Sequence, residues 1–222
     1  MGWYWVLKAD VLNLVSHGWL GIHASLLPKY RGGAPLVWAI INGEAETGLS
    51  LFYFDEGMDT GDIVAQRKIN IEFEDTIMNV LVKIQKESIE IVRENYPLLL
   101  AGNAQRLKQD HTQATYVALR RPSDGRINWN QPALKIYDFV RAQTHPYPGA
   151  FCYLDKKKLY VWNAKPFGFP FYGTPGQVVM IEHDYAVVTC GEGTALSLLK
   201  VQLDSMDEQI STQALKFGQH LK

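Results

Sequence analysis

The chain has 222 residues, of which 47% are hydrophobic and 20% charged, and its net charge is −1. That is enough apolar material for a real core, in one larger domain plus a smaller one, and it lacks the basic excess of a general nucleic-acid surface. Two cysteines, both in strand-like apolar surroundings, fit reduced core thiols in a cytoplasmic protein and no disulfide framework, while the apolar run from Trp3 to Leu7 is too short to span a membrane.

Met1 to Leu7 is aromatic-rich and reads as the end of a buried strand. Lys8 to Ser16 follows as a short helix with Val11, Leu12 and Val15 at helical spacing, ended by Gly18. Trp19 to His23 is a short strand that delivers His23 to its carboxyl end, where open α/β sheets place their ligand sites. Pro35 starts a helix through Asn42, striped by Leu36, Ala39 and Ile40 and stopped by Gly43. Leu49 to Phe54 and Ile63 to Ile69 read as strands. A long amphipathic helix runs from Asp75, its expected N-cap, to Leu100, with Ile77, Val80, Leu81, Ile84, Ser88 and Ile91 on one face.

Ala101 to Asn130 shows little periodicity and reads as a connection crossing the surface. Pro132 to Gln143 is a further helix with Leu134, Ile136, Tyr137 and Val140 on its apolar side, broken at His145-Pro146-Tyr147-Pro148-Gly149, where His145 suits a structural or substrate-lining role. Phe151 to Leu154, Leu159 to Asn163, Gln177 to Ile181, Ala186 to Cys190 and Leu196 to Leu203 are short strands of a small barrel-like β subdomain. The resulting division is 1–110, then a linker and helix over 111–150, then 151–222. The histidines are scattered and the cysteines unpaired at short range, so no metal site is expected.

Two stretches carry chemistry. In Gly21-Ile22-His23-Ala24-Ser25-Leu26-Leu27-Pro28-Lys29-Tyr30-Arg31-Gly32-Gly33, an imidazole that titrates near neutrality stands ahead of a basic, Gly-rich turn with donors suited to an anion. Taken alone, a histidine among apolar residues is more often structural than catalytic, and the turn is as readily a solvated basic turn. In Phe54-Asp55-Glu56-Gly57-Met58-Asp59-Thr60-Gly61-Asp62-Ile63, two glycines allow a tight turn that would bring Asp59 to His23, although acidic hairpin residues commonly just face water.

Together these stretches, with Arg121-Pro122-Ser123-Asp124-Gly125-Arg126-Ile127-Asn128-Trp129 and the Arg141 to Phe151 segment, closely resemble the formyltransferases that use N10-formyltetrahydrofolate. That family includes methionyl-tRNA formyltransferases and nucleotide-sugar N-formyltransferases. The resemblance implies an α/β fold: a partial Rossmann-like catalytic domain followed by a β-rich, OB-like subdomain. It implies that His23, tuned by Asp59, handles the proton as a primary amine attacks the formyl carbon, with the pterin near Trp5, Val6, Leu7, Glu56, Gly57 and Met58. Lys29, Tyr30 and Arg31 are candidates for contact with the acceptor or its phosphates.

The Thr144 to Phe151 segment and Val161-Trp162-Asn163 look more like the sugar enzymes, and the near-neutral charge agrees, so the expected partner is a small amine on a nucleotide sugar rather than tRNA. A homodimer is compatible with this reading. Two departures from the family pattern stand out. The family's chain normally begins with further parallel strands and helices, whose absence would expose an apolar sheet edge. Gly21 stands where the family has an asparagine whose amide meets the developing oxyanion, and losing one such donor costs about a hundred- to a thousand-fold in rate. The alternatives are a methionyl-tRNA acceptor and, beyond it, a catalytically impaired remnant that binds folate or sugar.

Overall fold

The computed structural model describes residues 5–204 and 206–222, and its chain divides into two compact units. One comprises the residues up to Ala39, Glu44–Asp75 and Asn79–Arg120; the other comprises Ile40–Gly43, Thr76–Met78 and Arg121–Lys222.

The first unit opens differently from its expected strand and helix. Residues 1–4 lie outside the described part, and Trp5 to Leu7 belong to no strand among the described residues; Trp5 and Val6 are exposed. The helix α1 is one turn, Ala9–Leu12, buries nothing, and leaves Leu14 and Val15 exposed. A turn that short gains too little from its own hydrogen bonds to extend without packing. Then come β1 (Leu20–His23), β2 (Arg31–Gly32), α2 (Pro35–Ile41), β3 (Glu46–Tyr53) and β4 (Ile63–Asn70).

Strands β1, β3 and β4 form an antiparallel sheet in that order, with His23 opposite Ser50. Every residue of β3 from Thr47 to Tyr53 is buried, as its apolar run requires of a strand covered on both faces. Among the described residues nothing pairs with the outer edge of β1, where Leu20 is exposed.

The long helix α3 (Ile77–Leu100) buries Ile77, Val80, Ile84, Ser88 and Ile91 as the sequence pattern demands, with Leu81 half-buried. It begins two residues after Asp75, whose carboxylate accepts from the Glu72 N–H and pairs with Lys83. The connection that follows is not the loose surface crossing its composition suggests. It contains β5 (Tyr116–Val117), which pairs in parallel with β2. The Arg31 N–H donates to the Thr115 carbonyl at 2.8 Å and the Gly33 N–H to the Val117 carbonyl at 3.1 Å. Gly32 makes this pairing possible: its φ is +101°, and a Cβ there would lie 2.4 Å from the Val117 carbonyl oxygen.

The second unit contains α4 (Ala133–Arg141), β6 (Ala150–Leu154), β7 (Lys157–Pro166), β8 (Val178–Ile181), β9 (Ala186–Thr189), β10 (Ala195–Leu203), β11 (Gln209–Ile210) and α5 (Ser211–Ala214). Its strands run antiparallel in the order β6-β7-β10-β9-β8, with β11 on β10. Ile136 and Val140 of α4 join Leu159, Val161, Leu196, Leu198 and Val201 in its core. Leu134, expected on that face, is exposed, because Ala133, Ile136, Tyr137 and Val140 already define the buried stripe. His145 stacks on Trp162 at 3.9 Å and bonds Glu208, which with Lys200 holds the Glu208 carboxyl below the usual range.

Cys152 and Cys190 are free and buried, and burial pushes both thiols up to about 12. A thiol reagent at pH 8 is expected to label neither in the folded protein and both after denaturation, counted by mass spectrometry. Labelling of the native protein at the denatured rate would show that this core opens freely.

Candidate active site

The site is built by two turns and a strand of the first unit. β1 ends on His23, and the chain then folds back on itself through Ala24 to Tyr30. Ser50 holds this return: its hydroxyl donates to the Ser25 carbonyl at 2.7 Å and accepts from the Leu27 N–H at 3.0 Å. Gln66 donates to the Leu27 carbonyl and to the Ser50 hydroxyl. The Ser25 hydroxyl donates to the Lys29 carbonyl at 2.6 Å. The turn therefore brings the Tyr30 carbonyl to 2.7 Å from His23 Nε2.

That contact fixes the imidazole. A carbonyl only accepts, so Nε2 carries a proton, and in the neutral ring Nδ1 presents its lone pair. Asp59 Oδ2 lies 3.6 Å from Nδ1, beyond direct hydrogen-bonding range but close enough to stabilise positive charge on the ring. His23 is 9% exposed, with the edge of its ring against Phe52.

Asp59 reaches this position from the turn between β3 and β4. Asp55 folds the turn locally, its Oδ1 accepting from the Gly57 N–H at 3.0 Å and the Thr60 hydroxyl at 2.5 Å. Asp59 itself has φ +54°, a left-handed conformation that aspartate tolerates better than most residues. Its Oδ2 accepts from the Gly32 N–H at 2.8 Å, which ties the two turns together.

Around the pair lies a cleft of about 340 Å³, within the range of small-molecule sites. Its walls include Trp5, Leu7, Phe54, Met58, Val117 and Leu119, with the Gly32–Gly33 backbone on one side. Of the residues singled out in the sequence, Trp5, Val6, Leu7, His23, Gly57, Met58 and Asp59 line this one cleft. Glu56 is exposed and is not part of the lining.

Lys29, Tyr30 and Arg31 are not brought to the cleft as a set. Lys29 is exposed, and the Tyr30 hydroxyl donates to Glu44 at 2.6 Å. Arg31 is 1% exposed, with its guanidinium bonded to Gln109, Tyr116 and His111, so it is an internal support and not a hand offered to an acceptor. Gln109 and the Val117–Leu119 wall escaped the sequence reading because they fall in the aperiodic connection. The Thr115-Tyr116-Val117 run of β-branched and aromatic residues was the signal there.

Gly21 lies in β1 with no positive φ, but the Phe54 ring lies against it. A Cβ at Gly21 would stand 2.4 Å from Phe54 Cζ and 2.8 Å from Cε1. The volume next to Gly21 is therefore taken by an aromatic ring that packs edge-on against Phe52. A larger concavity in the second unit, of about 560 Å³ and lined by residues that include Arg126, Asn128, Trp129 and His220, has no comparable acid–base pair among its lining side chains. Among the described residues no group of three His, Cys, Asp or Glu side chains is placed to hold a metal ion.

Residues 1–95 match the formyl transferase family and residues 120–216 the formyl transferase C-terminal domain. The chain is 38% identical over 207 residues to the methionyl-tRNA formyltransferase of Anaeromyxobacter dehalogenans (strain 2CP-C), covering 92% of this chain and 66% of that one. It thus spans a little under two thirds of that relative's length. Among solved structures, the methionyl-tRNA formyltransferase from Clostridium thermocellum is 28% identical with a TM-score of 0.58, over 73% of this chain and 69% of that one. The N-formyltransferase from Helicobacter canadensis, solved in complex with folinic acid and dTDP-3-aminofucose, is 21% identical with a TM-score of 0.64, over 81% and 65%, a likeness of fold.

Proposed function

Because the chain belongs to the formyltransferase family, we propose that its cleft transfers a formyl group from N10-formyltetrahydrofolate to a primary amine, that of a nucleotide-linked amino sugar. The observation that carries this reading is the state of His23: Nε2 is tied to the Tyr30 carbonyl, leaving Nδ1 as a base beside the Asp59 carboxylate.

N10-formyltetrahydrofolate supplies the activated formyl group. The apolar and aromatic walls of Trp5, Val6, Leu7 and Met58 suit a flat pterin, and the Gly57–Asp59 turn offers polar backbone at its edge. The amine's nitrogen bonds to the formyl carbon as the bond from that carbon to N10 breaks. His23 Nδ1 accepts the proton that the amine sheds and returns it to the departing nitrogen, so the ring ends each cycle neutral. While the ring holds that proton, Asp59 stabilises the imidazolium without a proton of its own being needed. General acid–base work of this kind contributes about a hundred- to ten-thousand-fold.

The net charge of −1 supports a small acceptor, since grip on tRNA phosphates favours a basic surface. A methionyl-tRNA acceptor is the second reading, favoured by the 38% identical relative that bears that name. The two separate in one assay: formylation of an amino-sugar nucleotide and of charged initiator tRNA, each from N10-formyltetrahydrofolate. Turnover on the sugar, with weak tRNA binding at physiological salt, is the expected result. Salt-sensitive nanomolar tRNA binding with formylation of the methionyl group would replace it by the second reading.

A further inference from the structure

We propose that Gln109 is a positioning residue that sets the Asp59 carboxylate, with Arg31 fixing which way the Gln109 amide faces. Only the kinetic half of the test below rests on formyl transfer being the reaction.

Gln109 is 6% exposed and every polar position of its side chain is used. Its Oε1 accepts from Arg31 Nε at 3.2 Å and from Nη2 at 2.5 Å. Guanidinium nitrogens only donate, so this fork admits the oxygen end of the amide and repels the nitrogen end. Nε2 is thereby directed to the backbone, where it donates to the carbonyls of Asp59 at 2.9 Å and Gly61 at 2.7 Å. Those two carbonyls bracket Thr60, and holding both clamps the turn in which Asp59 has φ +54°. The same turn delivers Oδ2 to the Gly32 N–H and to His23. Gly32 directly follows Arg31, so one short segment holds the turn from both sides.

Arg31 is an unusual choice for stability alone. Its other hydrogen bonds go to the Tyr116 hydroxyl at 3.0 Å and His111 Nδ1 at 3.1 Å, and its Cζ lies 5.7 Å from the centroid of the Tyr116 ring, so none of its partners is a carboxylate. A buried cation without a carboxylate loses its hydration for little Coulombic return, and an apolar residue would serve a mere core better. What the cation does supply is a fork that one orientation of Gln109 satisfies.

Gln109→Glu separates positioning from packing. At pH 8 the new carboxylate still accepts from Arg31, in a stronger charged pair, but it has no donor for the two carbonyls. We expect a melting temperature lower by several degrees, the stronger pair with Arg31 offsetting part of the two lost donors, with exchange of the Gly32 amide, followed by NMR, faster by about tenfold or more and faster than that of core amides in the second unit. The turnover number for formyl transfer should fall by about tenfold or more while KM for N10-formyltetrahydrofolate stays within about twofold. Arg31→Lys, which keeps the charge and loses the fork, should show a smaller version of the same pattern. Unchanged Gly32 exchange in Gln109→Glu would overturn the proposal. So would turnover at the parent level. Faster Gly32 exchange in a protein that transfers no formyl group would support the positioning and count only against the reaction.

Discussion

Replacing His23 by Ala is expected to lower the turnover of formyl transfer by about a hundred- to ten-thousand-fold, the range for loss of a general acid–base group. The fold should survive. The variant removes the His23 hydrogen bond to the Tyr30 carbonyl, a loss of about 1 kcal/mol, or about 2–4 °C in melting temperature for a chain of this size. Asp59 calls for two variants. Asp59→Ala removes the charge and also places alanine at φ +54°, adding strain and releasing the Gly32 N–H. Asp59→Asn keeps an oxygen for Gly32 and tolerates the left-handed backbone, so it isolates the charge. Both should lose most activity, and Asn the less stability. Near-parental turnover in the His23 variant or in both Asp59 variants would refute the assignment.

Gly21→Asn is the second large effect, and the structure changes its sign. The simple expectation is that an amide restored at this position stabilises charge on the formyl oxygen and raises the rate. With Phe54 Cζ 2.4 Å from the position of a Cβ, the single variant must instead displace that ring. Overpacking of this kind costs about 1–3 kcal/mol and disturbs the cleft wall that Phe54 forms. The single variant should therefore be less stable and no faster. Gly21→Asn combined with Phe54→Ala makes room for the amide and should turn over faster than Phe54→Ala alone, by up to about two or three powers of ten. The gain belongs in turnover more than in substrate affinity, because the charge it meets exists near the transition state. A double variant no faster than Phe54→Ala would remove the missing donor as an explanation.

How far the sequence could be read follows from which interactions are local. The β1, β3, β4, α2 and α3 elements were legible because their apolar periodicity and their Pro and Gly boundaries are local signals. The alternation in the second unit marked its β6 to β10 strands for the same reason. What failed is what depends on partners distant in sequence. Arg31 reads as a basic residue in a Gly-rich turn, and only the arrival of Gln109, 78 positions later, makes it a buried support. Trp5 to Leu7 has the composition of a strand, but strand formation rests on a neighbour distant in sequence, and the stretch belongs to no sheet among the described residues. Phe54 reads as the end of a strand, and its place over Gly21 follows from the antiparallel register of β1 on β3.

The position of bound folate distinguishes the His23–Asp59 cleft from every other concavity. A crystal structure with 5-formyltetrahydrofolate, a stable analogue of the formyl donor, should place the pterin among Trp5, Val6, Leu7 and Met58. Its formyl-bearing end should lie within reach of His23 Nδ1 and Asp59. Binding measured in solution should weaken when Met58 or Leu7 is replaced by a charged residue. Folate found instead in the second unit, in the concavity beside Trp129 and His220, or binding that ignores substitutions in the cleft, would contradict the account.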